Sequence, residues 1–333
     1  MSHLITNKRL RHWLNRSRWK RRMTAIEDAA LVVFWAICAR LTPERASRFG
    51  AAVVGTIGPW TPKQDKIDGN LRVAFPELTT IERWRIAKAI WRNMGASAGE
   101  YPHVGTLDRD GASGSMRVET VIPPHLEPNF NGERLTVFAT GHLANWEVLA
   151  AAPRFWGVDL AVVYAPIGNG FADHRLRAYR ERMGSRLLPR DGSAKTLLKH
   201  LRSGRPIGIV ADYRIDDGDP LPFFGSTKVT TLSPARLALK TGADLVAVRV
   251  ERLGPAHLRI SAVGPLRPPP DLVDDAARAR AMMTAFNAHL ERWIRERPEE
   301  WVCGKRAFDK KLVKALRLSD RQAAATPETA DAR

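Results

Sequence analysis

The 333 residues are 44% apolar and 26% charged, a globular composition with room for one large domain or two small ones. Only two cysteines are present, Cys38 and Cys303, neither in a CxxC pair nor in a Cys/His cluster, which argues against a disulfide framework or a structural zinc site and for a reducing compartment. Fifty-three basic against 35 acidic side chains give a formal net charge of +18, which favours polyanionic partners: nucleic acid, an anionic membrane face or an acidic protein.

The first 22 residues hold eight Lys/Arg and no acid, with Trp13 and Trp19 interleaved. The segment "IEDAALVVFWAICARL" follows, and its uncharged run, Ala29 to Ala39, is eleven residues long. A spanning helix needs roughly 20 apolar residues, so this one is too short. No small-residue cleavage site follows a single long apolar core, which argues against a cleaved signal peptide. A basic arm beside a short apolar helix fits a peripheral anchor at an anionic membrane face, each cation contributing about 1 kcal/mol. The plainer alternative is an amphipathic helix packed on its own domain.

Residues 24 to about 104 read helical. "TPERASRFGAAVVGTI" opens with a Thr-Pro-Glu start signal, and "TTIERWRIAKAIWRNMGASAGEY" places Glu82 three residues after Thr79, the spacing of a capping box. Ile81, Trp84, Ala87 and Ile90 follow helical spacing, with Trp91 extending the face. Residues 105–134 are rich in Gly, Pro and Asp and read as loop around one strand, "SMRVETVI". From 135 strands alternate with helices: "RLTVFAT", "LAVVYAP", the basic helix "FADHRLRAYRERMG", the helix "SAKTLLKHLRSG" stopping at Gly204, the strand "PIGIVAD" and the helix "LSPARLALKTGA". "DLVAVRVERL" and "AHLRISAVG" form an adjacent strand pair, a long helix covers about 272–297, and the tail is expected to be disordered.

This order predicts an α/β fold: a mixed, largely parallel sheet flanked by helices on both faces, with a helical N-terminal membrane-associating segment. The expected division is a basic arm (1–24), a helical part (25–125), an α/β catalytic part (126–310) and a disordered tail (311–333).

Ligand sites in such sheets lie beyond the carboxyl ends of strands, where "TVFATGHLANWEVLA" places His142. Glu147 follows it within one or two turns, with apolar and aromatic residues between. A carboxylate beside an imidazole fixes its tautomer and stabilises the imidazolium, which makes a general base. No GxSxG elbow, HExxH motif, GxxxxGK[ST] loop or dinucleotide fingerprint is present, and "GNG" at 168–170 reads as a turn. With no protein nucleophile evident, a His–Glu base would activate a substrate hydroxyl. Asp212 also ends a strand; it either positions the site or caps the next turn. No helix-turn-helix, zinc finger or basic–aromatic RNA signature accompanies the charge, so nucleic acid is not expected as a partner.

"GHLANWE" (141–147) carries a His-x-x-x-x-Asp/Glu motif and resembles the glycerolipid acyltransferases. With "NLRVAFPE" (70–77), Tyr-x-Pro at 164–166, "LPRDGSAKTLLKHLRSGRP" (188–206), "VADYRIDDG" (210–218), "LPFFGSTKVTTLSPARLALKTGA" (221–243) and "RPEEWVCGKRAF" (297–308), the chain resembles the bacterial lipid A secondary (lauroyl/myristoyl) acyltransferases over about 25–310. The resemblance implies transfer of a fatty acyl chain from an acyl carrier protein thioester, or from CoA, to a hydroxyl of a lipid A precursor, without a metal or redox cofactor. It implies action at the cytoplasmic face of the bacterial inner membrane, with the carrier protein, the anionic glycolipid and the membrane surface as partners. His142 would deprotonate the hydroxyl and Glu147 would orient His142. Asn145, Arg175 or Arg190 would supply donors to the oxyanion or substrate, and Asp212 would contact a polar group; Phe223 and Phe224 either line an acyl channel or, as is commoner for aromatic residues beside Pro and Gly, belong to the core. A related acyltransferase acting on another phosphoglycolipid or a lysophospholipid is one alternative; a basic membrane-surface or nucleic-acid-binding protein without catalysis, its His142 structural, is the other. Two positions and one stretch depart from the family pattern: Ala165 stands where an Arg is common, Tyr213 where Gln or His is frequent, and Val302-Cys303-Gly304-Lys305-Arg306 where Trp-x-His-Arg-Arg is usual.

Overall fold

The computed structural model describes residues 18–108, 115–164, 170–189 and 194–325. Four helices come first: α1 (Arg18–Cys38), α2 (Pro43–Ile57), α3 (Gln64–Ala74) and α4 (Thr80–Glu100). Thr42 caps α2 through the amide of Arg45, and Thr79 and Glu82 form the expected capping box on α4. Helices α2 and α4 lie against each other along Gly50, Gly95 and Gly99; a Cβ at Gly50 would stand 2.1 Å from the Gly95 carbonyl oxygen, so only glycine permits this approach. The buried stripe of α4 is Arg83, Ala87, Ile90 and Trp91, whereas Ile81 and Trp84 are exposed, so the apolar face begins a turn later than the sequence spacing suggests.

The sheet is built from β1 (Leu107–Asp108), β2 (Met116–Val121), β3 (Thr136–Thr140), β4 (Ala161–Tyr164), β5 (Arg186–Pro189), β6 (Ile207–Val210), β9 (Asp244–Gly254) and β10 (His257–Val263). A separate hairpin comprises β7 (Asp219–Phe223) and β8 (Ser226–Thr230). The eight-stranded order is β1-β2-β10-β9-β3-β6-β4-β5, with β9 and β10 antiparallel and every other neighbouring pair parallel. This is the predicted mixed, largely parallel sheet.

The remaining long helices are α5 (Gly170–Arg182), α6 (Ala194–Arg202), α7 (Ser233–Thr241), α8 (Asp275–Glu296) and α9 (Lys310–Ala325). Strand β3 is central and buried along its whole length. Its side chains alternate between two cores. Val137 and Ala139 join the layer containing Ile90, Leu201, Ala238 and Leu290 from α4, α6, α7 and α8. Phe138 joins the layer of Phe130, Val148, Tyr179 and Met183 on the other face. Residues 310–325 form α9, which corrects the expectation of disorder over 311–325; residues 326–333, and 1–17 of the expected basic arm, lie outside the described residues. Leu312, Val313 and Leu316 pack on the core, and Arg317 pairs with Asp68 on α3.

Candidate active site

Strands β3 and β6 are parallel neighbours in register, Thr140 opposite Val210. Two residues past Thr140 stands His142; two residues past Val210 stands Asp212. The fold therefore brings together two side chains seventy positions apart. Asp212 Oδ2 accepts from the His142 backbone N–H at 3.0 Å, and Asp212 Oδ1 lies 2.5 Å from His142 Nδ1. A carboxylate at Nδ1 places the ring proton there and leaves the Nε2 lone pair as the proton acceptor. The Asp212 side chain is 1% exposed and that of His142 is 13% exposed, so the acid is sealed and the base keeps an outlet. Burial alone would raise the Asp212 carboxyl, but His142 and then Lys228 hold it below its ordinary range.

Gly141 matters for space. A Cβ there would lie 2.7 Å from Leu290 Cδ1 and 3.4 Å from Asp212 Cβ. The left-handed residue in this turn is instead Ala144, with φ +47°. The turn is pinned to residues 300–302: the Ala144 amide donates to the Glu300 carbonyl at 2.9 Å, and the Val302 amide to the His142 carbonyl at 2.8 Å. Tyr213 stacks on the imidazole with centroids 3.7 Å apart, and Trp146 meets it edge-on at 4.6 Å. Lys305 lies over the other partner ring, 4.4 Å from the Tyr213 centroid.

Glu147 does not hold His142. Its carboxylate takes a two-pronged pair from Arg180 on α5, both contacts at 2.6 Å. Burial would lower the Arg180 pKa, but the bond to Glu147 reverses this and raises it. Burial followed by the charge of Glu147 raises the Tyr101 hydroxyl far above its usual range. The expected His142–Glu147 pair is thus replaced by His142–Asp212 and Glu147–Arg180, because strand adjacency sets the imidazole's partner.

Asn145 is fully buried, and its Nδ2 donates to Glu100 Oε2 at 2.8 Å, so this amide is engaged away from any oxyanion. Glu100 is itself fully buried and also accepts from Ser47 and Arg252, which ties the site turn to α2, α4 and β9. Each such charged bond contributes about 1.5–3 kcal/mol. Of the two readings of Phe223 and Phe224, an acyl channel or the core, the structure shows core residues. Phe223 stacks on Phe308 and Phe224 on Trp301, and the Phe224 amide donates to Glu291 at 2.6 Å. Phe224 and Gly225 both have positive φ, the pattern of a type I′ hairpin turn. Arg175 is exposed on α5; the arginine that α5 brings to this cluster is Arg180. Arg190 and Ala165 lie outside the described residues. Among the described residues, no three His, Cys, Asp or Glu side chains group closely enough to hold a metal ion.

Sequence reasoning missed Lys228, Arg180 and the Glu100–Arg252 pair. The shared two-residue offset of His142 and Asp212 from their strand ends was the available signal for the true carboxylate.

Two comparisons bear on this arrangement. The sequence model of the family described as "Bacterial lipid A biosynthesis acyltransferase" matches residues 15–310. The chain is also similar to the phosphatidylinositol mannoside acyltransferase of Mycolicibacterium smegmatis, 28% identical over 146 residues. That match covers 40% of this chain and 45% of the relative, so the chain spans less than half the length of the curated relative it matches.

Proposed function

The chain belongs to the bacterial lipid A biosynthesis acyltransferase family, and from that premise we propose that it transfers a fatty acyl group from an acyl carrier protein thioester to a hydroxyl of a lipid A precursor. The observation that carries this reading is the His142–Asp212 pair at the ends of two adjacent parallel strands. In the proposed step, His142 Nε2 takes the proton of the acceptor hydroxyl while the oxygen attacks the thioester carbonyl. Asp212 holds the Nδ1 proton and stabilises the imidazolium. As the C–S bond breaks, the imidazolium returns the proton to the departing thiolate. Tyr213, stacked on the imidazole, and Trp146, edge-on to it, shield the ring, which strengthens the charge pair.

Attachment to the cytoplasmic face of the inner membrane is part of the same proposal. No described helix is long and apolar enough to cross a membrane. Helix α1 buries Trp35 and Cys38 and leaves Ile26 and Val33 61% and 58% exposed, with Ile37 on the same stripe. An apolar stripe behind a basic arm suits peripheral insertion among anionic headgroups.

A second reading rests on the mannoside acyltransferase match: the acceptor is a hydroxyl of another membrane glycolipid, and the donor is an acyl-CoA or an acyl carrier protein thioester. One assay separates the two. Purified protein is given carrier-protein or CoA thioester, with either a hydroxyacylated glucosamine phospholipid or a mannosylated phosphatidylinositol, and products are weighed by mass spectrometry. One added acyl mass on the glucosamine lipid from the carrier thioester supports the first reading. The same gain on only the mannoside supports the second. No gain on any acceptor contradicts both.

A further inference from the structure

Lys228, on β8, is fully buried. Its Nζ donates to the main-chain carbonyl of Asp212 at 3.0 Å and lies 4.1 Å from the Phe223 ring centroid. Among the described residues no carboxylate pairs with it directly. Burying an ammonium in this way costs several kcal/mol. A methionine of similar length would fill the same space without that cost, so packing does not explain a lysine here.

The charge explains it. The Asp212 carboxylate is sealed against the His142 imidazole. A buried negative charge beside an imidazole favours the imidazolium, which cannot accept a proton. A nearby positive charge offsets this.

We propose that Lys228 is a positioning residue of the active site: its buried ammonium clamps the Asp212 main chain and balances the Asp212 charge, so that His142 stays neutral until it takes the substrate proton. Burial brings the Lys228 pKa down to about 8, which still leaves the ammonium charged at neutral pH. The other titratable or charged groups around the pair are Tyr213, Cys303, Glu147 and Lys305. The Lys228 amine itself reaches the Asp212 main chain.

The inference rests on His142 being the base of the proposed transfer. Its test therefore includes a readout that needs no turnover, so that failure of the acyl-transfer reading shows separately. The full chain, Lys228→Met and Lys228→Gln are compared. The His142 ring is titrated by NMR over roughly pH 5 to 9, the range in which imidazoles change charge. The pH profile of kcat/KM is measured alongside. Both variants should titrate His142 at higher pH, and the acid limb of kcat/KM should move with it. At pH 7 kcat/KM should fall by about tenfold, a fraction of the roughly 10²–10⁴-fold a general base contributes, and part should return as pH rises. A structural role alone would not move the titration. Folded variants with an unshifted His142 overturn the proposal. The Lys228 amine is also observed by NMR in the unmutated protein at pH 7, which decides the matter if neither variant folds. A charged ammonium supports the proposal, and a neutral amine overturns it.

Discussion

Asp212 grips His142 twice, once at the backbone N–H and once at Nδ1, so a single carboxylate sets both the position and the tautomer of the ring. An Asp212→Asn substitution keeps the shape but loses the charge and can present its NH2 to Nδ1, favouring the wrong tautomer. Its expected effect is a loss of kcat by roughly 10²–10⁴-fold with little change in KM. Steady-state kinetics on the folded variant check this; a KM effect with unchanged kcat would assign Asp212 to binding instead.

Glu147 works through Arg180. Removing one member of a largely buried ion pair leaves the other unpaired, at a cost of about 3–5 kcal/mol. Glu147→Gln should therefore destabilise strongly, and combining it with Arg180→Gln should recover part of the loss. Chemical denaturation of the two single variants and the double variant measures the coupling.

Glu300 supports the site turn through its carbonyl, and burial raises its carboxyl from 4.5 to about 7. Between those values the folded state binds more protons than the unfolded state, so stability falls as pH rises through the window from 4.5 to about 7. Glu300→Gln should remove that slope. Denaturation midpoints across this pH range test it; a slope retained in the variant assigns the effect to another group.

The exposed stripe of α1 predicts membrane docking. Replacing Ile26 and Val33 together by Gln should weaken binding to anionic vesicles without changing the melting temperature. Deleting residues 1–24 should weaken it in a salt-sensitive way. Vesicle sedimentation at low and high salt reads both; unchanged partitioning of either variant contradicts its part of the anchor.

The alternation of strands and helices, the helix caps at Thr42 and Thr79, and the placement of His142 were legible because they follow from local pattern. Asp212 was half legible, as a strand-end acid with two uses. Its pairing to His142 depends on β3 and β6 lying side by side, a choice made by packing across seventy residues. The near neighbour Glu147 looked the better partner because only sequence distance was visible. Ile81 and Trp84 carry the helical period of α4 yet remain exposed, since period gives a face without saying what covers it. The α9 helix also had its signal, Leu312, Val313 and Leu316 at helical spacing. The polar residues around them suggested disorder until α3 supplied a surface and Asp68 a partner.

The most direct test of the central claim is acyl transfer by His142→Ala, with product acyl mass read by mass spectrometry and folding verified by thermal melting. The account predicts a protein that melts cooperatively and transfers no acyl group above the uncatalysed background. Turnover close to that of the unmutated chain would contradict it.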